Sequence, residues 1–275
     1  MVADPDDRLK PGPPMISTIA TNRTLLRDFN ARALPRPPML DTERVALFLD
    51  LDGTIAEISD YPGGVGPVAT RTRLLRAVSR ALNGRLAILT GRSLEDVDRI
   101  LEGAVTSVAA VHGLAHRLPD ATVVRIEASP RLAEARSVLE TMAQAEPALI
   151  LEDKGASLAL HYRQVPSAER AVRHAIARVA RDAGLVVQQG SMVSELRTPG
   201  PDKGDSLRTF LGDRRFTGFQ PVMIGDDLTD EAAFAAAREL GGYGVLVGPP
   251  RLTAALFGLG SVAEVLAWLT SRSGA

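Results

Sequence analysis

Short unbroken apolar runs alternate along this chain with longer stretches in which apolar residues recur every three or four positions. Val45–Leu49, Arg85–Thr90, Ser107–Gly113, Pro221–Gly225 and Gly244–Gly248 contain such runs, with the length and continuity of strands buried on both faces. Between them the helical period returns. A helix is expected over about Ala69–Leu82 with Leu74, Leu75 and Val78 inward, and another over Leu94–Leu101, capped by Ser93 with Asp96 completing a capping box. Asp202 is placed to cap a helix starting at Lys203, Asp227 to cap Leu228–Leu240, and Val262–Leu269 closes the pattern with Trp268 in the core. Strand and helix in alternation predict a parallel, right-handed α/β sheet.

The pattern changes in the middle of the chain. Thr122–Ile126, Ala148–Glu152, Ser157–Arg163 and Leu185–Glu195 read as strands, with helices near Pro130–Gln144 and Ser167–Ala183 between them. Leu158, Leu160 and Tyr162 alternate with Ser157, Ala159, His161 and Arg163, so one face is apolar and the other polar. This predicts a small α+β lid inserted into a Rossmann-like parallel-sheet core: core over 41–117 and 199–275, lid over 118–198, and a proline-rich arm over 1–40. The arm holds seven of the 18 prolines, with one short helix expected at Thr24–Leu34.

Composition narrows the chemistry. Lys and Arg number 32 against 33 Asp and Glu, a formal net charge of −1, so no global field draws the protein to nucleic acid or to an anionic membrane. The absence of cysteine removes disulfides, thiol catalysis and thiolate metal sites. No apolar run approaches a bilayer span, and no signal-like segment opens the chain. The expectation is a cytoplasmic protein acting on a small molecule.

The strand ends carry that chemistry. The apolar runs terminate in Asp50/Asp52, Thr90, His112, Asp226/Asp227 and Gly248, and in an open α/β sheet the C-terminal tips are where ligands bind. Carboxylates crowded on one rim repel by several kcal/mol at ~4 Å and a protein-like dielectric, so they call for a cation. An all-oxygen donor set from Asp50, Asp52 and Asp226 favours Mg²⁺. Phosphoryl transfer to a carboxylate would use each part: Asp50 attacks, and Asp52 protonates the leaving oxygen and later deprotonates water. Gly53 lets the backbone approach the phosphate, Thr54, Thr90 and Gly91 supply donors, and Lys203 steadies the developing charge. Asp227 and Asp230 stand open between helix capping and support of the metal ligands. Taken alone, Arg92 could equally pair with Glu95 or Asp96, and His112 and His161 read as structural.

Asp50-Leu-Asp52-Gly-Thr54, Thr90-Gly-Arg92, Lys203 and Gly225-Asp226-Asp227-Leu-Thr-Asp230, in that order, resemble the four motifs of the haloacid dehalogenase superfamily of phosphatases. Leu89-Thr-Gly-Arg-Ser93, Val111-His-Gly113, the stretch from Glu152 to Arg163, and Glu195-Leu-Arg197 are similar to signatures of the trehalose-6-phosphate phosphatases, the whole spanning roughly Val45 to Trp268. The resemblance implies a core with an inserted lid, Mg²⁺ dependence, and hydrolysis of trehalose 6-phosphate. It also implies that Glu152, Lys154, Arg163 and Glu195 grip the sugar from the lid with Arg92 near it, and a functional link to a trehalose-6-phosphate synthase. Another phosphosugar such as sucrose phosphate is the alternative substrate; a non-catalytic sugar-phosphate sensor is the alternative function.

Overall fold

Phe48 at the centre of the first strand shows how the core is built. β1 (Val45–Leu49) is buried along its whole length, and its residues alternate between two hydrophobic clusters. Val45, Leu47 and Leu49 face one side with Leu75, Val78, Val97, Ile100 and Val265. Ala46 and Phe48 face the other with Leu207, Phe210, Phe216 and Phe234. Phe48 lies 5.7 Å from the Phe216 ring and 6.4 Å from Phe210, a group whose truncation costs about 3–5 kcal/mol for each large aromatic. These coordinates, a computed structural model, describe residues 34–271. The Thr24–Leu34 helix and most of the expected arm fall outside them.

β1 sits inside an eight-stranded sheet of order β12-β11-β10-β1-β2-β3-β4-β5. Its strands are β2 (Leu86–Leu89), β3 (Ser107–Ala110), β4 (Ala115–Arg117), β5 (Val123–Arg125), β10 (Gln220–Gly225), β11 (Tyr243–Val247) and β12 (Phe257–Leu259). β12 through β3 run parallel; β4 and β5 are antiparallel additions at one edge. Helices α1 (Ala69–Ala81), α2 (Leu94–Leu101) and α7 (Val262–Thr270) supply residues to the first cluster, and α5 (Lys203–Leu211) and α6 (Glu231–Glu239) to the second. Trp268 on α7 is buried and its Nε1 donates to the Pro38 carbonyl at 2.8 Å, tying down the start of the described chain.

The inserted unit is a four-stranded antiparallel sheet of order β6-β7-β9-β8, with β6 (Ile150–Asp153), β7 (Ser157–His161), β8 (Val186–Gly190) and β9 (Val193–Arg197). Leu158, Leu160 and Leu196 pack with Leu132, Leu139, Val172 and Ile176 from α3 (Arg131–Ala145) and α4 (Glu169–Ala183). The opposite face carries a polar row: Glu152 pairs with Ala159, Ala159 with Glu195, and Glu195 with Gln188. Paired residues across a sheet share a face, so period-two alternation alone turns this row away from the helices.

Four expectations change. Thr122–Ile126 was assigned to the lid, but β5 extends the large sheet. The reason is the Pro119-Asp120-Ala121 turn, where Ala121 takes φ +69° and Leu118 N–H donates to the Thr122 carbonyl, folding the chain back on β4. Leu185–Glu195 is two strands, because Met192 at φ +62° closes a hairpin between β8 and β9. The helix expected from Leu228 begins at Glu231, after a 3₁₀ turn over Leu228–Asp230. The Asp96 N–H donates to Ser93 Oγ at 3.1 Å as expected of the α2 cap, but the Asp96 carboxylate pairs with Arg99 rather than completing the box. Among the described residues no helix is long and apolar enough to cross a membrane.

Two contacts lie where the chain passes between the two sheets. Ser129 N–H donates to Thr198 Oγ at 3.0 Å, so the outgoing and returning strands of chain touch. Arg197, almost wholly buried, donates from its guanidinium to the carbonyl of Pro201 and approaches Gln188 Oε1 at 3.3 Å.

Candidate active site

The parallel register brings the tips of β1, β2, β3 and β10 together. Asp50, directly after β1, donates its N–H to the Ile224 carbonyl of β10 at 2.9 Å. This stitch aligns Asp50 with Asp226, which directly follows β10, two residues after Ile224. Between them the chain needs glycine: Gly53 has φ +78°, and a Cβ there would lie 2.1 Å from Asp226 Oδ2. Thr54, fully buried, sits behind the same carboxylate with Oγ1 3.4 Å from Asp226 Oδ1. Gly53 and Thr54, expected on phosphate, thus pack against Asp226 rather than lining the cleft.

Lys203 reaches this tip from the start of α5. Asp202 and Asp205 form a reciprocal capping box there, which sets the direction of the first turn. The Lys203 Nζ donates to Asp50 Oδ1 at 2.7 Å and to Asp230 Oδ1 at 2.6 Å, with all three side chains under one-tenth exposed. Asp230 Oδ2 in turn accepts the N–H groups of Asp226 and Asp227, each at 3.0 Å. That back-reach replaces the first turn of the expected helix and makes Asp230 an anchor for both Lys203 and the Asp226 backbone.

The electrostatics follow from burial. The two carboxylates hold the Lys203 ammonium well above its ordinary range despite its desolvation. Asp50 is pushed well above its ordinary range by burial; Lys203 opposes the rise, and Asp230 and Asp226 add to it. Asp226 is raised to about 7, first by burial and then by Asp230. Carboxylate oxygens of Asp50, Asp226 and Asp230 all lie within 4.8 Å of one another. Three carboxylates share one ammonium, so the donor set is over-negative, all-oxygen, and suited to a hard divalent cation.

Asp52 differs from its expected place among metal ligands. Its carboxylate is outside the cluster and is held in a fork by Arg92, Nε to Oδ2 at 2.6 Å and Nη2 to Oδ1 at 2.7 Å. Arg92 also donates to the Pro62 carbonyl at 2.9 Å. Its partner is therefore Asp52, neither Glu95 nor Asp96. Thr90 is buried and its Oγ1 accepts the Arg92 N–H at 3.2 Å, closing the β2 tip as a tight loop over Gly91.

The polar row of the inserted sheet faces this rim. Lys154 Nζ lies 3.1 Å from Glu195 Oε2 and 3.8 Å from Glu152 Oε2, while His161 Nε2 is 2.8 Å from Glu152 Oε2. Burial opposes ionisation of Glu195, but Lys154 and His112 overcome it and hold the carboxyl far below its usual range. Glu195 Oε1 is buried with no hydrogen-bond partner among the described residues. Arg163 lines the cleft but donates to the Ser191 carbonyl at 2.9 Å, so it braces the β8–β9 turn.

One cleft is lined by Asp50, Asp52, Thr90, Gly91, Arg92 and Lys203 with Asp226 and Asp227 from one side, and by Glu152, Lys154, Arg163 and Glu195 from the other. Among the further lining residues that the sequence does not single out as site residues are His112 and Gln188. His112 follows a strand tip as Thr90 and Asp226 do, and that position was the signal available for it. Gln188 lies in a Val-Val-Gln-Gln stretch that carries no such mark.

The family model for trehalose-phosphatase matches residues 48–250. A probable trehalose-phosphate phosphatase of Sinorhizobium fredii is 35% identical over 76% of this chain and 80% of its own length. The trehalose-6-phosphate phosphatase of Escherichia coli is 35% identical over 82% of this chain and 85% of its own. A solved trehalose-6-phosphate phosphatase related protein superposes with a TM-score of 0.69 at 27% identity, covering 82% of this chain and 95% of that one. The same fold recurs in a phosphatase of the haloalkanoate (HAD) superfamily from Bacteroides thetaiotaomicron, with a TM-score of 0.57, 19% identity, and 85% and 96% of the two chains covered.

Proposed function

The chain belongs to the trehalose-phosphatase family, and on that premise we propose that it hydrolyses trehalose 6-phosphate to trehalose and phosphate. The observation that carries the reading is the buried Lys203 bridge between Asp50 and Asp230, beside Asp226 and across one cleft from Glu152, Lys154 and Glu195. A nucleophile, a counter-charge and a sugar-binding surface then share a single space.

In this reading an Asp50 carboxylate oxygen attacks phosphorus as the bond from phosphorus to the sugar oxygen breaks, and Asp52 hands its proton to the departing oxygen. Water then attacks the Asp50-phosphate, gives its proton to Asp52, and the acyl-phosphate bond breaks to release phosphate. Lys203 stays on Asp50 throughout and limits the rise in negative charge. The Arg92 fork holds Asp52 at this rim, and one of its two bonds opens when that Asp52 oxygen carries the proton. Asp50 and Asp226 are the residues that would hold Mg²⁺, with Asp230 orienting Asp226 from behind; when bound, the ion supplies charge neutralisation for an anionic ester approaching an anionic carboxylate. Glu152, Lys154 and Glu195 offer charge-assisted hydrogen bonds to sugar hydroxyls, and the unpartnered Glu195 Oε1 is an acceptor already desolvated for one.

The division of labour we infer is a catalytic core and a sugar-selecting lid, working in the cytoplasm and fed by a synthase that forms trehalose 6-phosphate. The test is phosphate release from trehalose 6-phosphate, sucrose 6-phosphate and glucose 6-phosphate, with Mg²⁺ and with chelator. Trehalose 6-phosphate is expected to be preferred, Mg²⁺ to be required, and Asp50→Asn to lower kcat by about a thousandfold or more. A preference for sucrose 6-phosphate, or full activity in Asp50→Asn, overturns it.

A further inference from the structure

His112 occupies a strained position that its role in the fold does not explain. Val111 and His112 take φ +49° and +53° in succession, left-handed backbone that a β-branched valine adopts only at a cost of roughly 1–3 kcal/mol. Two hydrogen bonds impose it: Val111 N–H donates to the Arg92 carbonyl at 2.8 Å, and His112 N–H to the Thr90 carbonyl at 2.9 Å. The strained turn is thereby sewn to the Thr90-Gly91-Arg92 loop. The imidazole packs against that loop, since a Cβ on Gly91 would sit 2.3 Å from His112 Nε2.

The same ring also meets the inserted sheet. Gln188 Nε2 is 3.5 Å from Nδ1, and Glu195 Oε2 is 3.6 Å from Nε2. Arg197 donates to Gln188 Oε1 at 3.3 Å, which turns the Gln188 amide N–H towards Nδ1; in that arrangement the ring proton is assigned to Nε2, facing Glu195. His112 is thus a buried spacer, its backbone bonded to the loop proposed to receive phosphate and its ring against the carboxylate proposed to receive sugar. Side chains from both halves of the cleft close on one imidazole.

We propose that His112 is a positioning residue that sets the separation between the Thr90–Gly91 loop and the Glu195 row, and so makes the site selective for a phosphosugar over a small phosphate ester. The inference rests on the phosphosugar reading above. A histidine that only filled space would, when replaced, impair every substrate alike; a spacer between two subsites penalises only the substrate that spans them.

His112→Asn keeps a residue tolerant of left-handed backbone but withdraws the Nε2 contact, and His112→Gln restores a donor of similar reach. Steady-state kinetics on trehalose 6-phosphate and on p-nitrophenyl phosphate read the difference. His112→Asn is expected to lose at least tenfold more kcat/KM on the sugar ester than on the aryl ester, mainly through KM, with His112→Gln recovering most of it. Equal losses on both substrates, or no loss on the sugar ester, overturn the proposal. If His112→Asn is unfolded by circular dichroism, Gln188→Leu takes its place, with a selective rise in KM of about threefold expected and no selective rise counting against us. If the wild-type protein prefers another phosphosugar, that ester replaces trehalose 6-phosphate in the same comparison, which separates failure of this inference from failure of the substrate assignment.

Discussion

Replacing Lys203 with methionine leaves buried Asp50 and Asp230 without their ammonium, with half-buried Asp226 beside them, and the size of the effect follows from the distances. At 2.7 and 2.6 Å and an effective dielectric of about 20, each Lys203 contact is worth roughly 6 kcal/mol of Coulomb attraction. Three carboxylate pairs at up to 4.8 Å repel by about 3 kcal/mol or more each. The wild-type cluster is therefore close to balance before desolvation, and Lys203→Met tips it. Removing one member of a buried ion pair typically destabilises by about 3–5 kcal/mol, or about 6–20 °C in Tm for a chain of this order of size. The loss has a pH signature. Without Lys203 the carboxyls titrate in the folded protein further above their unfolded values, so the native state binds the extra protons and stability falls as pH rises through that range. Urea unfolding in chelator is expected to show a larger deficit at pH 8 than at pH 5.5, and Lys203→Met/Asp230→Asn is expected to recover about half, because a neutralised pair no longer strands a charge. A deficit under about 1 kcal/mol at pH 8, or one that does not change with pH, would falsify the balance drawn here.

Gly53→Ala puts a methyl group 2.1 Å from Asp226 Oδ2 at φ +78°; activity is expected to fall by about a hundredfold or more and stability by about 1–3 kcal/mol, and near-normal phosphate release would contradict the contact. His116 is buried against Phe210 with Nε2 lacking a partner among the described residues, and burial lowers its pKa. The unfolded chain takes up a proton below about pH 6.5 that the native histidine refuses, so stability is full above that pH and falls as pH drops towards the native pKa. His116→Phe should flatten the slope of unfolding free energy between pH 7.5 and 5.5, and an unchanged slope would assign that pH dependence elsewhere.

Elements whose signal is local were readable before any coordinates. β1, β2, β10 and their polar ends follow from uninterrupted apolar runs, and the caps at Ser93 and Asp202 from residue type and spacing. The four-stranded sheet's polar face followed from alternation, and Glu195 and Lys154 are on it. What escaped depends on partners far apart in the chain. The Arg92 fork on Asp52 spans 40 positions and the His112 approach to Gln188 spans 76, and neither leaves a periodic trace. Asp230 is legible only in part: its type and place leave it between helix capping and support of the metal ligands, and nothing local shows that the side chain folds back to hold Lys203 and two backbone N–H groups. β4 and β12 are three residues long, too short for periodicity to register.

The contact between Ser129 and Thr198 has an engineering and evolutionary meaning. A chain that leaves the large sheet and comes back within one hydrogen bond of its exit has in effect a socket. Because β5 is already paired before the exit, cutting at that socket removes β6 through β9 and both their helices while every strand of the eight-stranded sheet keeps its neighbours. In the reading proposed above, the Asp50 chemistry and the Glu195 row thus lie on separable segments of chain, and a foreign module whose ends meet at the same spacing can replace the row while keeping Asp50, with His112 the core residue it has to fit.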